Sequence, residues 1–384
     1  MSQSKAYRLL VFAPSLSATS ETFVRANLEG LPMRCMAYCG DEWPMRRPSQ
    51  ALYATAIVLS KVFTRLHLIR LASLPAAFVA WLLIRRHRPD AVLAEFGFEA
   101  VRVMEACAWS GVPLVVHFRG SDASAQGRLG LLCERYKRLL AIAAGVIVKS
   151  RPMANTLLAL GARPDRLLIS PSGANPELFH GSVPEQAPPR LLAVGRFVAK
   201  KGPLQTIRAF SQLCRTLGAG DPQPSLWMVG DGPLLKQAQT LVLGMALQDR
   251  VHFLGVCPQQ QVADLMRQVR GFVQHSMVAP DGDSEGNPVA VMEAQLSGLP
   301  VVATRHAGIP EVVLDGQSGL LVDEGDETGM AQAMARLLLD PALAARLGDY
   351  GRRRVLEHFT IEHHLQQVAQ LLHQVMQHRP ESLS

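Results

Sequence analysis

The stretch "GNPVAVMEAQLSGLPVVAT", residues 286–304, contains a loop, a helix start and a strand in one run. Asn287 is a strong helix N-cap and Pro288 suits the first helical position, so a helix is predicted from there. The apolar run "PVVAT" (300–304) reads as a strand after it, and "GFVQHS" (271–276) reads as one before the loop. Strand, helix and strand in that order call for parallel pairing, with helices over the sheet. The same rhythm runs outward in both directions. Toward the N-terminus it gives "RLLAVG" (190–195), "SLWMVG" (225–230) and "VHFLG" (251–255). Further back it gives "YRLLVFA" (7–13), "AVLAEF" (91–96), "PLVVHF" (113–118) and "GVIVKS" (145–150).

Two such series in 384 residues exceed one ordinary core. The proline-rich "GSVPEQAPPR", residues 181–190, is read as the linker between them. The expected class is α/β, with two Rossmann-like domains whose parallel sheets face each other across a cleft and ligand at the carboxyl ends of the strands. The expected boundaries are 1–180, a linker over 181–190, 191–357, and a C-terminal crossover helix and tail over 358–384. A dinucleotide-binding dehydrogenase would share this outline. Its first strand should run into G-x-G-x-x-G, whereas "VFAPSLSATSETF" (11–23) contains no glycine.

Hydrophobic residues make up 48% and charged residues 18%, which describes a globular chain rather than a disordered one. Six cysteines lie scattered with no C-x-x-C pair, and the N-terminus reads as no signal peptide. Unpaired thiols in a reducing cytoplasm are therefore expected. A net charge of +7 favours an anionic partner. No RNA-stacking motif or zinc spacing is present, so nucleic acid ranks below a phosphate-bearing ligand or an acidic membrane surface. The most apolar segment, "LASLPAAFVAWLLIRRHRPD" (71–90), is too short to span a bilayer. It reads either as an interfacial helix, with Trp81 at the headgroups and Arg85, Arg86 and Arg88 on lipid phosphates, or as a buried helix leading into the next strand; the buried helix is preferred.

In the second half, "VGRFVAKKG" (194–202), "VGDGPL" (229–234), "VHFLG" (251–255), "EGNPVAVMEAQLSGLPVVAT" (285–304) and "AGIPEVVLDGQSGLLV" (307–322) follow one another in register. Their order and spacing resemble those of family 4 glycosyltransferases, retaining enzymes of the GT-B fold. "SETF" (20–23), "EFG" (95–97), "HFRGSD" (117–122) and "SGANPELF" (172–179) extend the resemblance over nearly the whole chain. These forms are similar to the branch that builds bacterial exopolysaccharides such as colanic acid and amylovoran.

The resemblance implies transfer of a hexose from a nucleotide-diphosphate sugar, with UDP the expected nucleotide, to a lipid-linked or saccharide acceptor. It implies no cofactor and no metal. Arg196 and Lys201 correspond to the family's diphosphate-binding pair, a guanidinium fork and a point charge suited to a developing anion. A helix mouth near Pro288 should add main-chain donors from Gly286, Asn287 and Val289. Glu285 and Glu293 match the family's E-x7-E motif: by resemblance Glu293 accepts from the ribose hydroxyls and Glu285 faces the donor sugar. Gly230 and Leu254 join the donor contacts. On the N-terminal side His117 corresponds to the family histidine that faces the sugar, and Glu95, Arg119 and Asp122 fall on the acceptor side. The family form is often a tight H-G-x-D, whereas this chain inserts Phe118 and Arg119.

"DGD" (281–283) has the D-x-D form of metal-dependent transferases but is read as a solvated turn, and the calcium-loop template fails at Glu285 and Met292. His358, His363, His364, His373 and His378 show no ligand spacing and are read as faces of a C-terminal helix. Two other functions share the outline. A sugar-nucleotide hydrolase or 2-epimerase would use the same fold, but epimerases lack this E-x7-E arrangement. A non-catalytic sugar-nucleotide-binding subunit would be expected to have lost Glu285, Arg196 or Lys201. The chain is expected in the cytoplasm, with peripheral contact at an anionic inner membrane as an open partner.

Overall fold

The computed structural model describes residues 7–15, 22–40, 48–68, 71–218 and 220–378. It divides into two units, Met1–Ser170 with His364–Ser384, and Pro171–His363. "SETF" opens outside the described residues at Ser20 and Glu21, as does the tail from 379 onward.

The first unit holds strands β1 (Arg8–Ala13), β2 (Arg34–Cys39), β3 (Ala91–Glu95), β4 (Leu114–His117), β5 (Gly145–Val148) and β6 (Leu167–Ile169). Their order is β2-β1-β3-β4-β5-β6, and every pairing is parallel. Alternate residues serve opposite faces, as the two-residue period of a strand requires. Leu10, Phe12, Val92, Ala94 and Val116 enter one buried cluster. Leu9, Val11, Leu93, Val115 and Ile147 enter another, which Val368, Leu372 and Met376 of the helix Ile361–Gln377 complete. With both faces covered, strands β3 to β5 are buried throughout, which is why they read as unbroken apolar runs.

The second unit holds β7 (Arg190–Val194), β8 (Ser225–Val229), β9 (Val251–Gly255), β10 (Gly271–Gln274), β11 (Val301–Thr304) and β12 (Gly319–Val322). The order is β12-β11-β10-β7-β8-β9, again all parallel. Strand order reverses between β7 and β10, so the connections leaving these two neighbours diverge and open a crevice at their carboxyl ends.

The boundaries differ from those expected. Residues 171–180 belong to the second unit because Ala174 pairs with the 359–361 backbone and Phe179 is buried in that unit's core. The predicted linker is built into the same unit. Ser182 donates from its amide to the Ser297 carbonyl at 2.9 Å and from Oγ to the Met266 carbonyl at 3.0 Å, and Arg270 donates to the Ala187 carbonyl. The C-terminal change of unit falls inside the helix Ile361–Gln377, between His363 and His364, rather than at residue 358. Strands β2, β6 and β12 were not anticipated. None of the six cysteines is in a disulfide. Among the described residues no helix is long and apolar enough to cross a membrane.

Candidate active site

The loop leaving β7 runs from Gly195 to Gly202. The loop leaving β8 straps it in place: Gly195 donates to the Val229 carbonyl at 3.0 Å, Phe197 to Asp231 at 2.9 Å, and Leu234 back to Phe197 at 3.0 Å. Such close backbone approach needs glycine. Gly230 has φ +134, and a Cβ there would lie 2.1 Å from the Gly195 carbonyl oxygen. Arg196 is exposed and lines a crevice with Lys201, Thr206, Met228 and Gln274.

A single 3₁₀ turn, Ala199–Lys201, sends two neighbouring lysines to different partners. Lys200 is buried, and its Nζ donates to Asp283 Oδ1 at 3.1 Å and to the Ser284 carbonyl at 3.3 Å. Lys201 Nζ lies 3.1 Å from Glu285 Oε1, with side-chain exposures of 18% and 9%, as an ion pair rather than an aligned hydrogen bond. Burial alone would push the Glu285 carboxyl up. The charges of Lys201 and then Lys200 outweigh it and hold Glu285 below its ordinary value, so it is ionised at neutral pH. The Glu285 amide donates to His306 Nε2 at 3.1 Å, which fixes the His306 proton on Nδ1, where it meets Glu324 Oε1 at 2.6 Å.

Asp283 and its neighbours therefore form an anchored loop rather than the solvated turn expected. Asp281 caps the Asp283 amide at 3.1 Å and Asp283 holds Lys200. Among the described residues no group of three or more His, Cys, Asp or Glu side chains could hold a metal ion.

The helix after the loop spans Val289–Ser297, with Pro288 at the N-cap position in extended geometry, φ −67 and ψ 118. Asn287 is thus not the cap the sequence suggested. It lies one residue outside the helix, where its Nδ2 donates to the Gly308 carbonyl at 3.3 Å, and Gly286 accepts from the Gly308 amide at 3.1 Å. Proline supplies no side-chain acceptor; the Val291 amide donates to the Pro288 carbonyl at 3.1 Å, and the amides of Val289 and Ala290 open the positively polarised helix end. Among the described residues three buried polar atoms of this segment and of the chain after β10 have no hydrogen-bond partner: Asn287 Oδ1, Gln274 Oε1 and His275 Nδ1. Unsatisfied groups of this density are costly unless something polar meets them, as a ligand would.

Glu293 sits one turn into the helix, 8% exposed, and its Oε1 accepts from Gln259 Nε2 at 3.3 Å. Burial pushes its carboxyl up to about 7, against the opposing pull of Gln259 and Lys201. Leu254 is exposed near the end of β9. The second unit thus gathers Arg196, Lys201, Glu285, Gly286, Asn287, Val289 and Glu293 around the carboxyl ends of β7 and β10, with Gly230 as the close-packing neighbour.

The first unit gathers its own cluster at the carboxyl ends of β3, β4 and β5. Glu95 and His117 are register partners on β3 and β4, and Lys149 follows β5. All three are buried. Glu95 accepts from Asn27 Nδ2 at 2.8 Å and from Arg119 Nε at 2.8 Å. Asp122 accepts from the amides of Gly97, Gly120 and Arg119 at 2.8 to 3.0 Å, yet burial still raises its carboxyl above the usual range. Among the described residues neither ring nitrogen of His117 has a hydrogen-bond partner, and Nδ1 lies 3.6 Å from Glu95 Oε2. Burial first, then Arg119, Lys149 and His364, push it far below its ordinary value, so the ring is neutral.

The two inserted residues have structural roles. Phe118 is fully buried edge-on against Tyr136, and Arg119 turns back onto Glu95. His364 lies on the C-terminal helix Ile361–Gln377, as read from the sequence, and on its buried face. It bonds Ser170 Oγ through Nδ1 at 2.8 Å and Asn27 Oδ1 through Nε2 at 3.1 Å, and its ring stands 5.5 Å from that of His117.

The model for Glycosyltransferase Family 4 matches residues 36–178, and that for Glycosyl transferases group 1 matches residues 175–354. The chain carries both of these glycosyltransferase domains, which together span residues 36–354. It is 34% identical over 255 residues to the amylovoran biosynthesis glycosyltransferase AmsK of Erwinia amylovora, covering 65% of this chain and 60% of that protein. It is 32% identical over 278 residues to the putative colanic acid biosynthesis glycosyltransferase WcaL of Salmonella typhimurium, covering 71% and 63%. The match therefore spans somewhat under two thirds of these relatives' length. Among solved structures, HepE of Anabaena in complex with UDP superposes with a TM-score of 0.75 at 19% identity, over 96% of this chain and 100% of that one. At that identity the likeness speaks to the fold, which is GT-B.

Proposed function

We propose that the chain is a retaining glycosyltransferase that moves a hexose from a UDP-sugar to a lipid-linked or saccharide acceptor in polysaccharide biosynthesis, without a divalent ion. The observation that carries the reading is the buried Lys201–Glu285 pair beside the open mouth of the Val289–Ser297 helix, with Arg196 on the same crevice. The names of AmsK and WcaL and the UDP held by HepE support the process and the nucleotide.

In this reading the donor diphosphate lies against Arg196, Lys201 and the amides of the helix mouth. They stabilise the charge that grows on the phosphate as the glycosidic bond breaks. Glu293 accepts from the ribose hydroxyls. Glu285, held ionised by Lys201, faces the sugar and stabilises positive charge at the anomeric carbon rather than attacking it. His117 contacts the donor sugar by resemblance to the family alone. The acceptor hydroxyl enters on the face the phosphate leaves, and its proton passes to that phosphate, which preserves anomeric configuration.

The test is incubation with nucleotide sugars and saccharide or lipid-linked acceptors, in chelator and in magnesium, with product configuration read by NMR. Retained configuration and chelator-insensitive turnover are expected. Inversion, a covalent glycosyl adduct on Glu285, or turnover restored only by added metal would each overturn the corresponding part.

A further inference from the structure

We propose that the paired helices Pro48–Arg65 and Leu74–His87 form a docking face for an anionic lipid bilayer, gripping it by apolar insertion beside exposed basic side chains. The inner faces of both helices are core: Tyr53, Ala56, Ile57, Ala76, Ala80, Leu83 and Ile84 enter one buried cluster. Their outer faces carry a second apolar stripe. On the first helix Leu52, Leu59 and Val62 are exposed at helical spacing. The stripe continues through the turn as Leu66, Leu68 and Leu71 and along the second helix as Leu74, Phe78 and Leu82. Phe78 is 55% exposed and Leu66 61%. The two readings of segment 71–90 thus each describe one face of the same helix.

Charge decides the occupant. Between residues 43 and 89 the sequence holds eight Lys or Arg and no Asp or Glu. Lys61 and Arg65 are exposed within the stripe, next to Val62 and Leu66 in sequence, and Arg85, Arg86 and Arg88 are exposed beyond Leu82 where the second helix ends. Phe78 stacks on Trp81 at 5.8 Å, and the Arg85 guanidinium lies 5.2 Å over the Trp81 ring, an aromatic and a cation side by side as at a headgroup boundary. A second copy of the chain would set these cations against their own kind, whereas phosphates of an anionic leaflet neutralise them while the leucines insert.

The experiment is co-sedimentation with phosphatidylcholine vesicles, with and without phosphatidylglycerol. It compares the whole chain, Phe78→Glu/Leu82→Glu and Arg85→Gln/Arg86→Gln. Both substitutions fall on exposed positions, and unchanged thermal unfolding checks the fold. Partition into phosphatidylglycerol vesicles should fall at least about tenfold for the first variant, from lost apolar burial, and on the order of 30-fold for the second. It should weaken with salt. No partition, equal partition into phosphatidylcholine alone, or variants that sediment like the parent would overturn the proposal. So would a concentration-dependent dimer that the glutamate variant disperses.

Discussion

Lys200 and Lys201 are neighbours in sequence with different work. Lys201→Ala removes the cation from beside Glu285, and by the proposed mechanism turnover should fall by ~10²- to 10³-fold while the fold persists. Lys200→Met should act on stability instead, because Lys200 anchors Asp283 and Ser284. Its loss should cost about 1–3 kcal/mol in denaturant titration. A larger turnover loss in Lys200→Met than in Lys201→Ala would reverse the assignment. Glu293 makes a pH prediction. Its folded value, near 7, stands above the 4.5 of an unperturbed glutamate. The native state therefore binds the proton more tightly than the unfolded chain. The resulting stability is fully present below about 4.5 and is lost as pH rises through about 7, some 3 kcal/mol in all. Glu293→Gln should flatten that slope. If Glu293 accepts from ribose hydroxyls, UDP binding at pH 6 should also release a proton, measured by calorimetry in buffers of different ionisation enthalpy, and the glutamine variant should release none. Glu285 works in the opposite direction, contributing stability at neutral pH that acid removes.

At the scale of elements, the loops that leave β7 and β8 depend on backbone contact rather than side chains. Gly230→Ala would force a methyl into the Gly195 carbonyl at a φ that only glycine holds easily. About 1–3 kcal/mol of stability and most UDP affinity should be lost together, and a variant with parental UDP affinity would show that the strap tolerates movement. Nine of the strands were legible as β-rich apolar runs, which burial on both faces makes continuous in β3, β4, β5, β10 and β11. β2 was not, because it is an edge strand whose outer end mixes Arg34 and Cys35; β6 is only Leu167–Ile169; β12 hid within a longer motif. Asn287 and Pro288 marked the helix start within one residue, but proline took the cap position and freed Asn287 to hold Gly308. Arg196, Lys201, Glu285 and Glu293 were singled out by their likeness to the family's motifs. Their supports Lys200, Gln259, His306 and Glu324 were not, since only tertiary folding brings together residues such as Lys200 and Asp283 that lie far apart in the chain. The helix was expected for His364, but its partners Ser170 and Asn27 were hidden for the same reason.

For the whole molecule, the second unit is an insertion within the first: the chain leaves the first unit after Ser170 and returns at His364. The face of the first sheet formed by Leu9, Val11, Leu93, Val115 and Ile147 is covered by Val368, Leu372 and Met376 from the last helix. During synthesis, the inserted unit has every one of its residues before that cover exists. The order of maturation is therefore inside-out: the later-made half can finish first, while the earlier-made half waits with an open apolar sheet, a state prone to aggregate. Ribosome-arrested chains carrying a C-terminal spacer, so that residue 363 but not the final helix has cleared the exit tunnel, should protect Pro171–His363 from protease and leave β1 to β5 open to cleavage, with protection of both appearing only once the final helix clears the tunnel as well. Early protection of the first unit would show that another segment chaperones that sheet until its own closing helix is born.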